Sequence, residues 1–273
     1  TSEIRAKVPS QELSDELIKA LKKENQYLPN LKEIPKELVK KAKLLYINYP
    51  NNPTGAFATE SFSKEVIDFA KENQILVVQD AAYAALTFDG TKPLSILSME
   101  GAKEVCVEIH SLSKAFNMTG WRMAFVVGNA LAVKAFAAVK DNNDSGQFAA
   151  IQLAGKYALE HTEITEKTSE KYSRRHNMLV ETLRDLGFDV VKPKASFYLY
   201  FKAPKGIKGG QRFQTGEEFS QYLIREKCIS TVPWDDVENC IRMSVTFLAY
   251  GEEEEKKVMA EIKKRLSDVE FEF

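Results

Sequence analysis

The chain has 273 residues, 44% of them hydrophobic, which is enough apolar material for a substantial core and for two domains. Charged residues make up 28%, yet they nearly cancel to a formal net charge of -1, so the basic stripe of a general nucleic-acid binder is missing. No apolar run approaches the roughly 20 residues that cross a bilayer, which argues against a membrane-spanning protein.

The start, Thr1-Ser2-Glu3-Ile4-Arg5, lacks an initiator Met and the apolar segment of a secretion signal, which suggests a chain that has been processed, nicked or cut. Lys40-Lys41-Ala42-Lys43 reads as the wet end of a helix rather than a nucleic-acid patch. The first half then repeats one pattern, an apolar run, polar turn residues and a helical rhythm. Leu44-Leu45-Tyr46-Ile47 leads into Asn51-Asn52-Pro53-Thr54-Gly55, where Pro53 and Gly55 predict a shaped loop. Phe62, Val66, Phe69 and Ala70 recur at helical spacing behind a candidate N-cap, Thr59. Ile75-Leu76-Val77-Val78 is apolar at consecutive positions, as in a parallel strand covered on both faces, and it ends at Asp80. Asp80 therefore falls near a strand's carboxyl edge, where open α/β sheets bind ligands.

Two more strands are predicted at Val105 to Ile109 and Met123 to Val127, with Cys106 an inert core residue. Leu131 to Val139 is apolar and helix-prone, and Leu153 to Leu186 is largely helical. After Gly187 the rhythm changes. Val190-Val191, Ser196 to Phe201 and Ile241 to Thr246 predict a smaller α+β unit, Lys205 to Gly210 a mobile loop, and about Glu252 to Leu266 a terminal helix. Ile241, Met243 and Val245 alternate with Arg242, Ser244 and Thr246, which puts Arg242 on the polar face of a strand. Trp121 and Trp234 read as packing residues or pocket walls. Cys106, Cys228 and Cys240 are odd in number, widely spaced and without a CxxC pair, which fits a reducing, cytoplasmic setting. No neighbouring carboxylate or thiol gives His110, His161 or His176 the pattern of a triad or metal site, and no metal is expected.

The segment Ser111-Leu112-Ser113-Lys114-Ala115-Phe116-Asn117-Met118-Thr119-Gly120-Trp121-Arg122 presents two serine hydroxyls, an amine and a guanidinium between two predicted core strands. The Lys114 stem could reach an aldehyde, while Ser111 and Arg122 could hold a phosphate through charge-assisted bonds. Taken alone it is equally a polar loop with Lys114 facing water. With its neighbours it resembles the fold-type-I pyridoxal-phosphate enzymes, the aspartate aminotransferase superfamily. Asn52-Pro53-Thr54-Gly55 resembles that family's NPTG loop, Asp80-Ala81-Ala82-Tyr83 its DxxY segment, and Ser111 to Lys114 its SxSK motif. Arg122, eight residues past Lys114, matches the family's phosphate-binding arginine, and Arg242 the arginine that grips the substrate's carboxylate.

The resemblance implies a three-layer α/β transferase fold with a mostly parallel sheet, a partial large cofactor-binding domain over 1–168 and a smaller α+β domain over 169–273. It implies pyridoxal 5'-phosphate as cofactor and Lys114 as the Schiff-base lysine and proton carrier. Asp80 would pair with the pyridine nitrogen, and Asn52 and Tyr83 would donate to the phenolic oxygen. Ser111, Ser113 and Arg122 would complete the cofactor site, and Arg242 with Asn52 would meet the substrate. The implied reaction is transamination between an L-amino acid and a 2-oxo acid, in an enzyme that is a homodimer when intact. Glu24 to Pro29, Lys140 to Phe148 and Val232-Pro233-Trp234-Asp235-Asp236 resemble the branch containing LL-diaminopimelate aminotransferases, which implies tetrahydrodipicolinate as amine acceptor and glutamate as donor. An aspartate-like or broad specificity, a C–S lyase on the same scaffold and a catalytically weak fragment stay open.

The likeness runs from about Tyr27. Relatives carry a phosphate-binding loop, a ring-stacking aromatic and parts of the small domain and dimer interface ahead of NPTG, and Thr1 to Lys23 shows nothing assignable to them. Core strands are therefore expected to be left exposed. The chain alone is expected to transaminate poorly or not at all.

Overall fold

The computed structural model describes residues 27–144, 146–236 and 238–273. The stretch Thr1 to Lys23, the marker residues Glu24, Asn25 and Gln26, and Ser145 lie outside the described residues. The chain separates into two compact units. One comprises Leu28–Asn52 and Ala56–Glu170; the other comprises, among the described residues, Tyr27, Pro53–Gly55 and Lys171–Phe273.

In the first unit, α1 (Lys36–Lys41) buries no residue and pairs Lys40 with Glu37 at 2.8 Å, the wet helix end that its lysines predict. Strand β1 (Leu44–Asn48) follows, then α2 (Glu60–Asn73). Thr59 caps α2 by accepting from the Phe62 amide at 3.1 Å, and Phe62, Val66, Ile67 and Ala70 form its buried stripe. β2 (Leu76–Asp80), α3 (Ala102–Val105), β3 (Cys106–Ser111), α4 (Leu112–Ala115) and β4 (Ala124–Gly128) complete the sheet region. Val105 belongs to the end of α3, so the third strand starts one residue later than its apolar run.

The sheet order is β1-β2-β3-β4, with β1, β2 and β3 parallel and β4 antiparallel to β3. Parallel neighbours need a covering crossover, and α2 provides one between β1 and β2. Ile47, Val77 and Cys106 meet the α2 stripe in one core. Burial there pushes the Cys106 thiol up to about 12, so it is inert as expected. Both edge strands leave apolar side chains exposed, Leu44 and Tyr46 on β1 and Val127 on β4, in line with the expectation from sequence. The helix-prone run forms α5 (Ala130–Asp144), which buries none of its residues; Leu131 is 79% exposed. The long helical stretch resolves into α6 (Ala149–Glu160) and α7 (Glu163–Asp185).

The second unit is built on β5 (Tyr198–Lys202), β7 (Val232–Trp234) and β8 (Cys240–Ser244), antiparallel in the order β5-β8-β7. α8 (Gly216–Lys227) and α9 (Glu252–Leu266) accompany them. Phe188 centres an aromatic cluster, with ring centroids 5.6 Å from Phe201, 5.1 Å from Phe271 and 5.0 Å from Phe273. The Lys205 to Gly210 stretch is tied down rather than mobile. β6 (Gly206–Ile207) pairs with β9 (Phe271–Glu272), and the amides of Lys205 and Lys208 donate to Glu272 and Glu270. Distant pairing of this kind leaves no local sequence signal.

A buried ionic knot holds the segment after β8. Arg175, 1% exposed, donates from Nε to Glu255 at 2.8 Å and from its Nη atoms to the carbonyls of Val245, Phe247 and Ala249. Arg174 adds a bidentate grip on the same carboxylate at 2.7 and 3.0 Å. Burial by itself raises the Glu255 carboxyl, but the bonds from Arg174 and Arg175 outweigh it and hold it below the usual range. Arg175→Ala leaves Glu255 to Arg174 alone and strands three carbonyls, and urea unfolding should show a loss of about 3–5 kcal/mol, against near-neutrality for an exposed arginine such as Arg225.

His176 is fully buried and donates from Nε2 to the Ser196 carbonyl at 3.0 Å. Burial lowers it from 6.5 to about 4. The unfolded chain takes up this proton as pH falls through 6.5, whereas the folded chain resists until about 4, so His176 costs stability across that window. Unfolding free energy measured by urea titration should fall from pH 6.5 to 4, and His176→Gln should flatten that slope.

Candidate active site

Parallel pairing brings three strand ends to one edge of the first unit's sheet. The register aligns Asn48 with Asp80, and Asp80 with Ile109, two residues before Ser111. The segments leaving this edge are therefore Tyr49 to Asn52, Ala81 to Tyr83 and Leu112 to Lys114, the sequence-predicted motifs.

Asn48 ties two of them together. Its Oδ1 accepts from the Asn52 amide at 2.9 Å and from Asn51 Nδ2 at 3.3 Å, while its Nδ2 donates to the Asp80 carbonyl at 3.0 Å. The Asn51 amide donates to the Ala56 carbonyl at 2.8 Å, and the Tyr49–Pro50 peptide is cis. Buried Gln79 donates to the Tyr49 carbonyl at 2.7 Å. Gly55 has φ +71, a conformation that disfavours other residues, which accounts for glycine at the end of this loop.

The Asp80 carboxylate is gripped on both oxygens. Oδ1 accepts from the Ala82 amide at 3.1 Å and Oδ2 from the Tyr46 hydroxyl at 2.9 Å. Tyr83 is buried at the end of the same turn, and Lys114 Nζ lies 5.8 Å from the centre of its ring.

The lysine segment is closed by its own bonds. Ser111 Oγ accepts from the Ser113 amide at 3.2 Å, and Thr119 Oγ1 donates to the carbonyl of buried Ser113 at 2.9 Å. The Leu112 amide donates to the Met123 carbonyl at 3.1 Å and the Met118 amide to the Leu112 carbonyl at 3.3 Å. Arg122 adopts φ 53 and donates from Nη1 to the Thr119 carbonyl at 3.1 Å, while its own carbonyl accepts from Gln147. Gly155 of α6 packs against Met123 and Leu112 where a Cβ would lie 2.9 Å from the Met123 methyl. Behind this loop, buried Glu108 accepts from Ser95 at 2.8 Å and meets His110 Nε2 at 2.8 Å. Burial raises this carboxyl, yet the His110 and Ser95 bonds bring it below the usual range.

Asn52, Asp80, Tyr83, Ser111, Ser113, Lys114 and Arg122 thus all belong to the first unit. Arg242 belongs to the second, half-buried on β8 between buried Ile241 and Met243, as its alternation predicts. Its guanidinium lies 3.9 Å from the Tyr198 ring centre and 5.5 Å from that of Trp234. The expected strand is shorter than its pattern, because Val245 and Thr246 fall beyond Ser244.

Some expectations need correction. Trp121 is 47% exposed on the short turn Thr119–Trp121 and packs no core. Carboxylates two residues away do pair with His110 and His161, through Glu108 and Glu163, because period-two spacing on a strand and a helix start both allow it. Among the described residues no group of three or more His, Cys, Asp or Glu could hold a metal. Sequence reasoning missed Tyr46 and Asn48. Their alternation with Ile47 was available, but their reach to Asp80 depends on the β1–β2 register.

The donor set has the chemistry pyridoxal phosphate demands. Lys114 offers an amine for the aldehyde, Asp80 an anchored acid for the ring nitrogen, and Ser111, Ser113 and Arg122 offer donors for phosphate. Asn48→Ala should free the Asn52 amide and the Asp80 carbonyl together, lowering the urea-derived stability by roughly 1–3 kcal/mol. Asn48→Asp keeps the acceptor for Asn52 and should lose less.

The sequence pattern of the family described as aminotransferase class I and II matches residues 14–261, beginning ahead of Tyr27 where the motifs become legible. An LL-diaminopimelate aminotransferase of Methanococcus maripaludis is 58% identical over 258 residues, 93% of this chain and 62% of the relative. Another, of Methanocaldococcus jannaschii, is 57% identical over 261 residues, with the same 93% and 62% coverage. The solved structure of substrate-bound BacF from Bacillus subtilis superposes with a TM-score of 0.82 at 35% identity, covering 93% of this chain and 62% of that one. The chain therefore spans 62% of the length of these relatives. Its fold is that of the pyridoxal-phosphate transferases, with the mostly parallel sheet that the resemblance implied. With anchored acid, lysine and family pattern in agreement, the chain belongs to the class I and II aminotransferase family.

Proposed function

We propose that this chain carries the cofactor-binding and carboxylate-binding groups of an LL-diaminopimelate aminotransferase, moving an amino group from glutamate to tetrahydrodipicolinate. The observation that carries the reading is the Asp80 carboxylate, fixed on both oxygens, in the same strand-end cluster as a lysine amine 5.8 Å from the Tyr83 ring. Identity of 57–58% to two enzymes of that name supports the substrate pair.

When bound, pyridoxal phosphate supplies an electron sink for the bond being broken at the substrate's Cα. Lys114 would hold the cofactor through its amine and, as the base at the site, would carry the proton between the substrate's Cα and the acceptor side. Asp80 would hold a proton on the ring nitrogen, with Tyr46 and the Ala82 amide keeping the carboxylate in place. Asn52 and Tyr83 would donate to the cofactor's phenolic oxygen. Ser111 uses its oxygen lone pair on the Ser113 amide, which leaves its O–H for phosphate beside Ser113 and Arg122. Arg242 takes the substrate carboxylate in its planar fork.

Residues 1–168 form the cofactor domain and 169–273 the small domain in this reading. The enzyme acts in the cytoplasm, which its free thiols Cys106, Cys228 and Cys240 support. It works as a homodimer, for which the apolar side chains exposed on α5 and α6 offer surface.

Adding pyridoxal phosphate to the purified chain should produce a visible absorbance band, and borohydride should fix the label on Lys114 in peptide maps. Lys114→Ala should abolish that label, and glutamate should bleach the band in the parent, with 2-oxoglutarate formed more slowly than by an intact relative. Labelling spread over surface lysines, or a band indifferent to glutamate, would sink the proposal.

A further inference from the structure

Arg242 lies on β8, the central strand of its sheet, opposite Tyr200 on β5 and Val232 on β7. Side chains alternate across a strand, so residues two positions along each neighbour share the face of Arg242. Those diagonal positions are Tyr198 on β5 and Trp234 on β7, and both rings reach the guanidinium, at 3.9 and 5.5 Å. Ile241 and Met243 are buried on the opposite face, which locks the register that makes the diagonals coincide.

Trp234 is anchored in turn. The next residue, Asp235, accepts from the amides of Gly216 and Glu217 at 2.5 and 2.9 Å, the first turn of α8. A Cβ on Gly216 would collide with the Cys240 carbonyl, so glycine lets α8 start hard against β8. The Val232 to Asp236 segment thereby gains a physical role: its acid docks on a helix start, and its indole is delivered beside an arginine.

Rings stack on the faces of a guanidinium, whereas carboxylate capture uses its in-plane N–H edge. The two do not compete. Rings placed on the faces would also keep water away from them, strengthening a charge-assisted bond made at the edge. We propose that Tyr198 and Trp234 are positioning residues for substrate binding, setting the plane of Arg242 so that a ligand carboxylate meets its fork edge-on. This deepens the proposed function and rests on its reading of Arg242.

Succinate, a dicarboxylate with neither amine nor keto group, tests the idea without turnover. Calorimetric titration into the pyridoxal-phosphate-loaded full chain should give binding that Arg242→Gln abolishes. Trp234→Leu and Tyr198→Leu should each weaken it roughly fivefold to twentyfold, the worth of a desolvated cation–π contact. Trp234→Phe and Tyr198→Phe, which keep a ring, should stay within about twofold of the parent. Folding of each variant is checked by near-ultraviolet circular dichroism. A second measurement needs no change at the site: with Trp121→Phe, Trp234 is the chain's remaining tryptophan, and its emission should shift as succinate binds. If Arg242→Gln loses binding while folded Leu variants keep it, or the indole emission is blind to bound succinate, the positioning role is overturned and the arginine reading survives. If Arg242→Gln binds like the parent, or the parent binds nothing, the arginine reading falls and takes this inference with it.

Discussion

The first unit's share of the candidate site depends on the parallel hydrogen-bond ladder that sets Asn48 level with Asp80 and Asp80 level with Ile109. Because strand side chains alternate, a slip of one residue would turn Asp80 to the opposite face and move Tyr46 out of its reach. The apolar partners that forbid such a slip, Ile47, Val77 and Cys106, sit on these same strands and pack under α2. Hydrophobic burial sets the register, and the register then positions the polar chemistry at the strand ends. Asn48 completes the link, bonding one loop through its oxygen and the neighbouring strand through its amide. The NPTG and DxxY segments are therefore one hydrogen-bonded unit, although 28 positions separate Asn52 from Asp80 (80 less 52).

The two units solve positioning differently. Lys114 sits on a loop fixed almost wholly by backbone and hydroxyl bonds, closed at both ends by Leu112 and Met123. Bonds of this kind tolerate varied side chains, so little in the loop beyond Ser111 and Thr119, with small Gly155 of α6 packed against it, needs a particular residue for its shape. Arg242 instead sits on a strand whose following segment is held by Arg175 and Glu255, a buried ion pair with every oxygen engaged. Burying such charges is costly unless the geometry is complete, and here three backbone carbonyls and a second arginine complete it. A hydrophobic substitute could fill the volume but could not bond those carbonyls. The knot therefore specifies the path of the chain after β8, beyond whatever stability it contributes.

Much of this was legible in the sequence because it is local. Apolar runs marked the strands, Thr59 marked the start of α2, and alternation placed Arg242 on its polar face. The motif residues stood out through their order along the chain. What escaped detection depends on pairs distant in sequence. Tyr46 becomes a partner of Asp80 only through strand pairing, Asp235 becomes a helix cap only once β7 lies beside α8, and β6 becomes a strand only because the chain's end returns to it. His110 and Glu108 were close enough to be seen, but a two-residue spacing carries meaning only on a strand. Trp121 is no core residue although large aromatics are usually buried, because it lies half-exposed on a short turn, and of its two expected roles only packing is excluded.

α5 shows where local preference is asked to act alone. It buries no residue completely, yet it spans 15 residues. Alanine at positions 130, 132, 135, 137 and 138 supplies the strongest intrinsic helix preference. Asn129 caps the start by accepting from the Ala132 amide at 3.0 Å, and Lys140 pairs with Asp144 one turn on, at 2.7 Å. Isolated helices of this length are marginal in water, so these terms can form α5 but give it little reserve. Meanwhile Leu131, Phe136 and Val139 stand exposed, and apolar side chains gathered in this way mark a surface suited to contact rather than to solvent. The helix is thus written twice in the sequence, by alanine and cap for its backbone and by large apolar residues for a surface.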